Sequence, residues 1–504
     1  MTNVSVTFID SGVSPSILVL GGGSAGLLAA LTLKCLLPSY SVRLVHSKEI
    51  GVIGVGEGTT AVFPHHLFET LGIPKERFYR EAQPTWKQGI RFLWGERGDY
   101  FYDFGFQYDQ KFPGMSKATG FYAEENCDDL SEACALMRAG KAFASGPLNK
   151  PLMRGEYAFH VENAKLVSCL TNIAVEKGVE IEEDTLTGVE SDEHGVRFLH
   201  FQSGKRHAAD LFIDATGFRS ELIGKELGVP LKSFSGSLFC DRAVIGGWVR
   251  EQEPLQAYTT AETMDAGWCW QIEHEHFINR GYVYAADFLS DDQAEAEFRA
   301  KNPRVGNTRI VKFRSGRMER SWEKNVVAIG NSSGFVEPLE ATALAQIIYA
   351  SRWLVEMLKN SQHTPGDAQR DKYNQLMGRA WDEIRDFLAF HYKFNNLCDT
   401  PFWHHCQKHT SLGDFQAFFD RYQSIGPSPD LIGSLPYQPN IYGIEGYLVH
   451  LLGMRVPHQA THLPSNEERQ MWEKQRYRHR LMASQGITCQ QALHAIRQPH
   501  WRWG

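Results

Sequence analysis

The sequence predicts an α/β fold, a helix-wrapped mixed sheet joined to a mostly helical C-terminal region, on three observations. An apolar run of strand length, Ser16–Leu20, enters a glycine-rich turn and then an apolar run of helix length. Two later apolar runs, Leu211–Asp214 and Val326–Ile329, also end in turns of small residues. From Gln362 to Lys408 the apolar residues recur with helical period. A chain of 504 residues is long enough for one large domain or two joined ones. Hydrophobic content of 42% and charged content of 22% describe an ordinary globular protein. A net charge of −7 supplies no basic field, so nucleic acid is excluded as an expected partner. The nine cysteines are scattered without CxxC pairs, and Met1 to Ser16 has no basic region leading into an apolar core. Reduced thiols, a cytoplasmic location and no membrane partner are the expectations.

The first strand leads into Gly21-Gly22-Gly23-Ser24-Ala25-Gly26. This is GxGxxG in its required setting. Gly21 permits the tight turn, Gly23 lets a pyrophosphate approach the backbone, Gly26 lets helix and strand pack, and Ser24 and Ala25 open the helix. The second strand, Ser41–Val45, is followed by His46, where an acid usually binds ribose hydroxyls, with Ser47 and Glu49 close by. His46 can donate to a hydroxyl instead. The stretch from Gly51 to Thr60, with Gly54, Val55, Gly56 and Glu57, is too rich in glycine for a regular element and reads as a loop over a flat cofactor. Phe159–Leu166, a helix-period stretch to Lys177, and the run Leu211–Gly217 with Asp214 and Gly217 form a second nucleotide signal. The third is Val326–Gly334, which carries Gly330-Asn331 where flavoproteins commonly have Gly-Asp. Agreement of three separated segments favours FAD over NAD and a glutathione-reductase-like, Rossmann-type domain. The expected division is an FAD-binding unit with an inserted substrate-side sheet over residues 12–360, and a helical substrate-binding region over 361–504.

Residues Asn331 to Leu344 are the centre of the chain. Small residues there enter an expected helix, and Glu337 and Glu340 lie among Phe335, Val336, Pro338 and Leu339, so that one carboxylate is expected in a dry space that tunes its basicity.

Four segments carry a closer resemblance: Gly54-Val55-Gly56-Glu57, Trp268-Cys269-Trp270-Gln271-Ile272, Phe335 to Thr342, and Asp399-Thr400-Pro401-Phe402-Trp403. Together they resemble the flavin-dependent tryptophan halogenase family over about residues 16–455. The resemblance implies that reduced FAD, supplied by a separate flavin reductase, reacts with O2 to a C4a-hydroperoxide. A halide ion then attacks it to give hypohalous acid, which passes through a tunnel to a lysine and a glutamate beside an electron-rich ring.

Glu81 to Phe92 resembles the family segment that carries this lysine, which places it at Lys87; the glutamate matches Glu340. Hypohalous acid attacks carbon poorly unless its oxygen is hydrogen-bonded by a cation or its halogen is held as a haloamine. A lysine can do either, and arginine cannot readily form the haloamine. By strand alternation Lys87, Gly89 and Arg91 share one face, with Gly89 leaving room beside the ammonium. The backbone N–H groups of Thr342 and Ala343 match the family's halide-binding pair, in Ala341-Thr342-Ala343 where members usually have Ser-Thr-Gly. Trp268 and Trp270 match a signature lining the route to the substrate, here followed by Glu273 in place of its proline. Tyr102 and Phe104 stand where two rings would sandwich an indole. Tyr442 and Glu445 fall where the family draws substrate-end contacts.

The predicted activity is two-component, FADH2-dependent halogenation of an indole-type aromatic substrate. The alternatives are a flavin monooxygenase acting on an aromatic or alkene, favoured by the missing proline, and a non-catalytic flavin-binding scaffold. No metal is expected, because the adjacent His404 and His405 of one helix point about 100° apart. A homodimer is expected.

Overall fold

The computed structural model describes residues 14–49, 56–105, 129, 131–459 and 464–503. Gly54 and Val55 lie outside the described residues. Ser16–Leu20 sits inside a six-stranded sheet between Leu211–Asp214 and Ser41–His46. Val326–Ala328 extends the parallel order on one side and Glu180–Glu183 on the other. Trp322–Glu323 closes the edge antiparallel to Val326–Ala328. Parallel strands bear helices on both faces, so these strands read as continuous apolar runs and are buried, apart from their ends. The helix Ser24–Leu36 follows the glycine turn and buries Gly26 through Leu33.

A second, seven-stranded sheet has the order Arg309–Lys312, Arg242–Val249, Phe277–Tyr284, Gly267–Glu273, Tyr258–Met264, Gly89–Leu93, Tyr100–Asp103. It is antiparallel except where Gly89–Leu93 runs parallel to Tyr258–Met264. A small antiparallel sheet joins Glu57–Gly58 and Thr85–Lys87 through the central strand Ala158–Val161.

The expected continuous strand through Lys87 is therefore two strands in two sheets. The chain breaks at Gln88, whose backbone N–H donates to Ala257 O (2.6 Å) and whose side-chain amide donates to Ala142 O (2.7 Å). Lys87 is buried, whereas Arg91 is partly exposed and pairs with Asp99 at 2.9 Å. Gly89 does not make room for the ammonium. A Cβ there would lie 2.2 Å from Tyr102 O, so its glycine serves strand packing.

The long helix after the central loop begins at Ala343 and runs to Asn360, later than the sequence suggested, because Pro338–Thr342 forms a turn with Ala341 N–H donating to Pro338 O. The helical stretch beyond it is two helices, Asp367–Phe394 and Pro401–His409, the second capped by the Thr400 hydroxyl. Gly443–Gly453 and Asn466–Ser484 follow, the latter opened by a capping box of Ser465 and Glu468. One apolar core runs from Ile17 in the first strand to Ile496 in the last helix. The terminal Trp503 stacks on Tyr79 at 4.6 Å, and the Tyr79 hydroxyl accepts from the Trp86 indole N–H at 2.7 Å. The end of the chain thus braces the strand that carries Lys87. No described helix is long and apolar enough to cross a membrane.

Candidate active site

A cleft of about 780 Å³ opens at the carboxyl ends of the parallel strands. Gly21, Gly23, Ser24, Ala25, His46, Gly56, Glu57, Gly217, Gly330 and Asn331 line it. Two glycines show why this loop has its sequence. Gly21 has φ +122°, and a Cβ on it would lie 2.3 Å from Ala215 O; on Gly26 a Cβ would lie 1.9 Å from Gly21 O. A Cβ on Gly23 would meet no atom of the described residues within 4 Å, and Gly23 lines the cleft.

Asp214 behaves differently from its expected role. Its carboxylate is fully buried and accepts from Thr216 N (3.1 Å), Thr216 Oγ1 (2.6 Å), Leu222 N (2.8 Å) and Ile223 N (2.9 Å). It fixes the Ala215–Arg219 loop, which lines the cleft, and does not line the cleft itself. Glu57 does line it and accepts from the Asn163 side-chain amide at 2.5 Å; burial, opposed by Asn163 and Ser24, raises its carboxyl above the usual range.

The far end of the same cleft reaches Lys87. Its ammonium donates to Thr59 O at 3.1 Å and lies 5.5 Å from the centre of the Phe104 ring. Gly58 provides the room beside it, since a Cβ at 58 would lie 3.4 Å from Lys87 Nζ, from Ala341 Cβ and from Thr259 Oγ1 alike. Burial lowers the Lys87 pKa to about 7 against the opposing pull of Glu340. Glu340, adjacent to Ala341, is 5% exposed. Ala341 has φ +55°, a conformation alanine adopts at a cost, between Glu340 and the helix start at Thr342 and Ala343. First-turn N–H groups of this 18-residue helix have no intrahelical acceptor and sit at its positive end, suited to an anion.

Trp270 lines the cleft, and its indole donates to Asn279 at 3.0 Å. Trp268, 6.0 Å away, points its N–H to Glu337 at 2.6 Å. Tyr392 also donates to Glu337, whose pKa burial raises to about 7. Glu337 is thus a wholly buried acceptor behind the cleft. Tyr102 is 9% exposed and packs on His450 at 4.8 Å, and burial, then the charge of Glu340 and lastly that of the half-buried Glu445, raises its pKa; Tyr442 stacks face to face with Phe387 at 3.5 Å.

The cleft thus runs from the glycine loop to Lys87, and Phe104 and the charge of Glu340 lie near that ammonium, with Tyr102 and Tyr442 in turn near Glu340. A model of the tryptophan halogenase family matches residues 16–499. The chain belongs to the tryptophan halogenase family.

Among its relatives are tryptophan 6-halogenase ThaL of Streptomyces albogriseolus, 32% identical over 79% of this chain and 80% of the relative, and tryptophan 7-halogenase RebH of Lentzea aerocolonigenes, 31% identical over 82% and 83%. MibH, a lanthipeptide tryptophan 5-halogenase of known structure, superposes with a TM-score of 0.88 at 36% identity over 97% of this chain and 95% of its own. BrvH, a flavin-dependent halogenase from Brevundimonas sp. BAL3, gives 0.83 at 26% identity over 95% and 99%.

Two residues of this halogenase-family site went unnoticed in the sequence. His391 on Asp367–Phe394 and His450 on Gly443–Gly453 both turn Nε2 toward Glu340 Oε1, at 3.0 and 3.5 Å. Both rings have no exposure. A lone histidine on an otherwise buried apolar helix face, Leu448-Val449-His450-Leu451, is the signal that would have found one of them. His404, by contrast, is exposed and pairs with Asp399.

Proposed function

We propose that this protein is a two-component, FADH2-dependent halogenase of an electron-rich, indole-type ring. The observation that carries this reading is the continuity of one cleft from the glycine loop to a buried lysine, Lys87, that the charge of a buried glutamate, Glu340, reaches. A flavin dinucleotide fits the residues present: the bare backbone at Gly23 accepts a pyrophosphate, the Ser24–Leu36 helix offers its N-terminus, and His46 and Glu57 offer groups to hydroxyls or ring edges. When bound and reduced by a separate flavin reductase, that cofactor with O2 and halide supplies hypohalous acid. The amides of Thr342 and Ala343 hold the halide, and the Ala343 methyl narrows that place relative to glycine.

Everything after the oxidant forms is work for the chain. Trp270 walls the passage and keeps the ring from the cofactor. Lys87 hydrogen-bonds the oxidant's oxygen or carries its halogen, and Glu340 stabilises the cationic ring intermediate and accepts its proton. Tyr102, Phe104, Tyr442 and Glu445 hold the ring so that one carbon faces Lys87. Free tryptophan, tryptophan within a peptide, indoles and phenols are the substrates to test, the peptide because MibH is a lanthipeptide halogenase. With reductase, O2 and each halide in turn, the expected product has one hydrogen replaced by halogen. A product that gains oxygen instead assigns the chain to monooxygenation.

The glycine loop supports a contrast. Gly23→Ala is expected to leave stability within about 0.5 kcal/mol, as at an unconstrained site, while weakening FAD binding at least roughly tenfold by intruding about one methyl into the pyrophosphate's place. Gly21→Ala, forced against Ala215 O at positive φ, is expected to destabilise the fold itself. Thermal melts and flavin-fluorescence titrations of the two variants check both statements.

A further inference from the structure

The reading of Glu340 as the base leaves open where its proton goes, and the residues behind it supply an acceptor. His391 Nδ1 lies 2.6 Å from Phe387 O, a carbonyl that can only accept, so Nδ1 carries the ring's hydrogen and Nε2 presents a lone pair. That lone pair faces Glu340 Oε1 at 3.0 Å. Among the described residues neither atom has another hydrogen-bond partner, and both are buried, as is His450 Nε2, 3.5 Å from the same oxygen. Two acceptors held this close in a dry site repel each other until one proton enters between them.

We propose that His391 is a positioning residue for halogenation, acting through Glu340 as the final acceptor of the proton displaced from the substrate ring. The proposal rests on the reading of Glu340 as the base. In the step, the C–H bond at the halogenated carbon breaks and its electron pair closes the aromatic ring. The proton passes to the Glu340 carboxylate and from Oε1 to His391 Nε2, leaving the carboxylate ionised and His391 an imidazolium. Phe387 O accepts from that imidazolium and stabilises it. His450 stays neutral, since burial and the adjacent His391 hold it well below the usual imidazole range, and its Nδ1 is tied to the Tyr100 hydroxyl at 2.9 Å. The other titratable groups facing this pair are Lys87 from its strand, Tyr102 beside Tyr100, and Tyr442 at the N-cap of the helix of His450. The same three side chains lie close enough to hold a metal ion. A metal would, however, occupy the carboxylate that must receive the ring proton, so the proton reading is the one consistent with the chemistry in front of Glu340.

His391→Asn keeps a donor for Phe387 O and removes the basic nitrogen. Turnover is expected to fall roughly 10²-fold, the lower end of a general base's contribution, with FAD binding and hypohalous acid formation in a diketone trap unchanged. A ring-deuterated substrate is expected to show a larger isotope effect on kcat than in the wild type, and the acid limb of the kcat–pH profile to shift. Independently of activity, ¹⁵N spectra of histidine-labelled protein are expected to show a His391 titration that moves on Glu340→Gln. Turnover within about twofold of wild type, or a loss that leaves isotope effect and acid limb unchanged, overturns the proposal. Stoichiometric bound metal whose chelation abolishes activity overturns it in favour of a metal centre. If no ring is halogenated by the wild type while the ¹⁵N titration still responds to Glu340→Gln, the functional reading fails and the proton pair stands.

Discussion

Lys87→Ala is expected to abolish aromatic halogenation, by roughly 10³-fold or more, while FAD binding and halide-dependent consumption of O2 continue. The loss is that large because the Lys87 ammonium borders the space over Gly58, where oxidant and ring would meet. Lys87→Arg is expected to fail almost as badly, since a guanidinium is bulkier and does not form a haloamine. The stability effect has the opposite sign. The folded-state pKa of Lys87 is lowered from 10.5 to about 7 by burial, so the unfolded chain binds the extra proton between those values. The cost of burying the charge is complete below pH 7 and vanishes as the pH rises through 10.5. Lys87→Met, which fills the space without a charge, is therefore expected to melt higher than wild type at pH 6, with the difference shrinking toward pH 10. The transfer step itself, followed with added hypohalous acid, is expected to bend near pH 7. A rise through the bend marks the neutral amine as halogen carrier; a fall marks the ammonium as hydrogen-bond donor.

The sequence makes some of this site legible and hides the rest for physical reasons. Gly21, Gly23 and Gly26 are readable because a positive φ, an open backbone and a close helix–strand contact are local constraints, although Gly21 also abuts the distant Ala215 O. Glu340 is half-legible, since its apolar neighbours point to a buried carboxylate at 337 or 340 and both prove buried, whereas Lys87 emerges only through family resemblance, because a lysine in a short apolar strand carries no local sign of burial. The break at Gln88 depends on hydrogen bonds to Ala142 and Ala257, partners more than fifty residues away, and strand alternation extrapolates through it. Asp214 shows a further limit. An acid ending a strand in a nucleotide-binding segment reads as a contact to the cofactor, yet here four protein donors consume its acceptor positions. His391 and His450 come from helices that pack together only in the tertiary fold, and neither has a periodic partner in sequence.

Glu340→Gln is expected to lower kcat by roughly 10² to 10⁴-fold, the range for removing a general base, with the substrate KM changed little. The substitution separates chemistry from architecture. A glutamine amide in place of Oε1 donates to His391 Nε2 across the same 3.0 Å, so the buried lone pair that faces the carboxylate acquires a partner. Thermal stability is accordingly expected to match or exceed wild type, and any activity loss is not a folding loss. Glu340→Asp retains the charge but withdraws it by one methylene from both His391 and the ring, and is expected to lose activity to a smaller degree. If Glu340 and His391 act as one unit, Glu340→Gln combined with His391→Asn is expected to be no slower than Glu340→Gln alone. Additive losses in that cycle would mean that the two side chains serve the reaction separately. A single-turnover assay with preformed oxidant resolves the difference, because it reads proton removal from the ring without the preceding flavin chemistry.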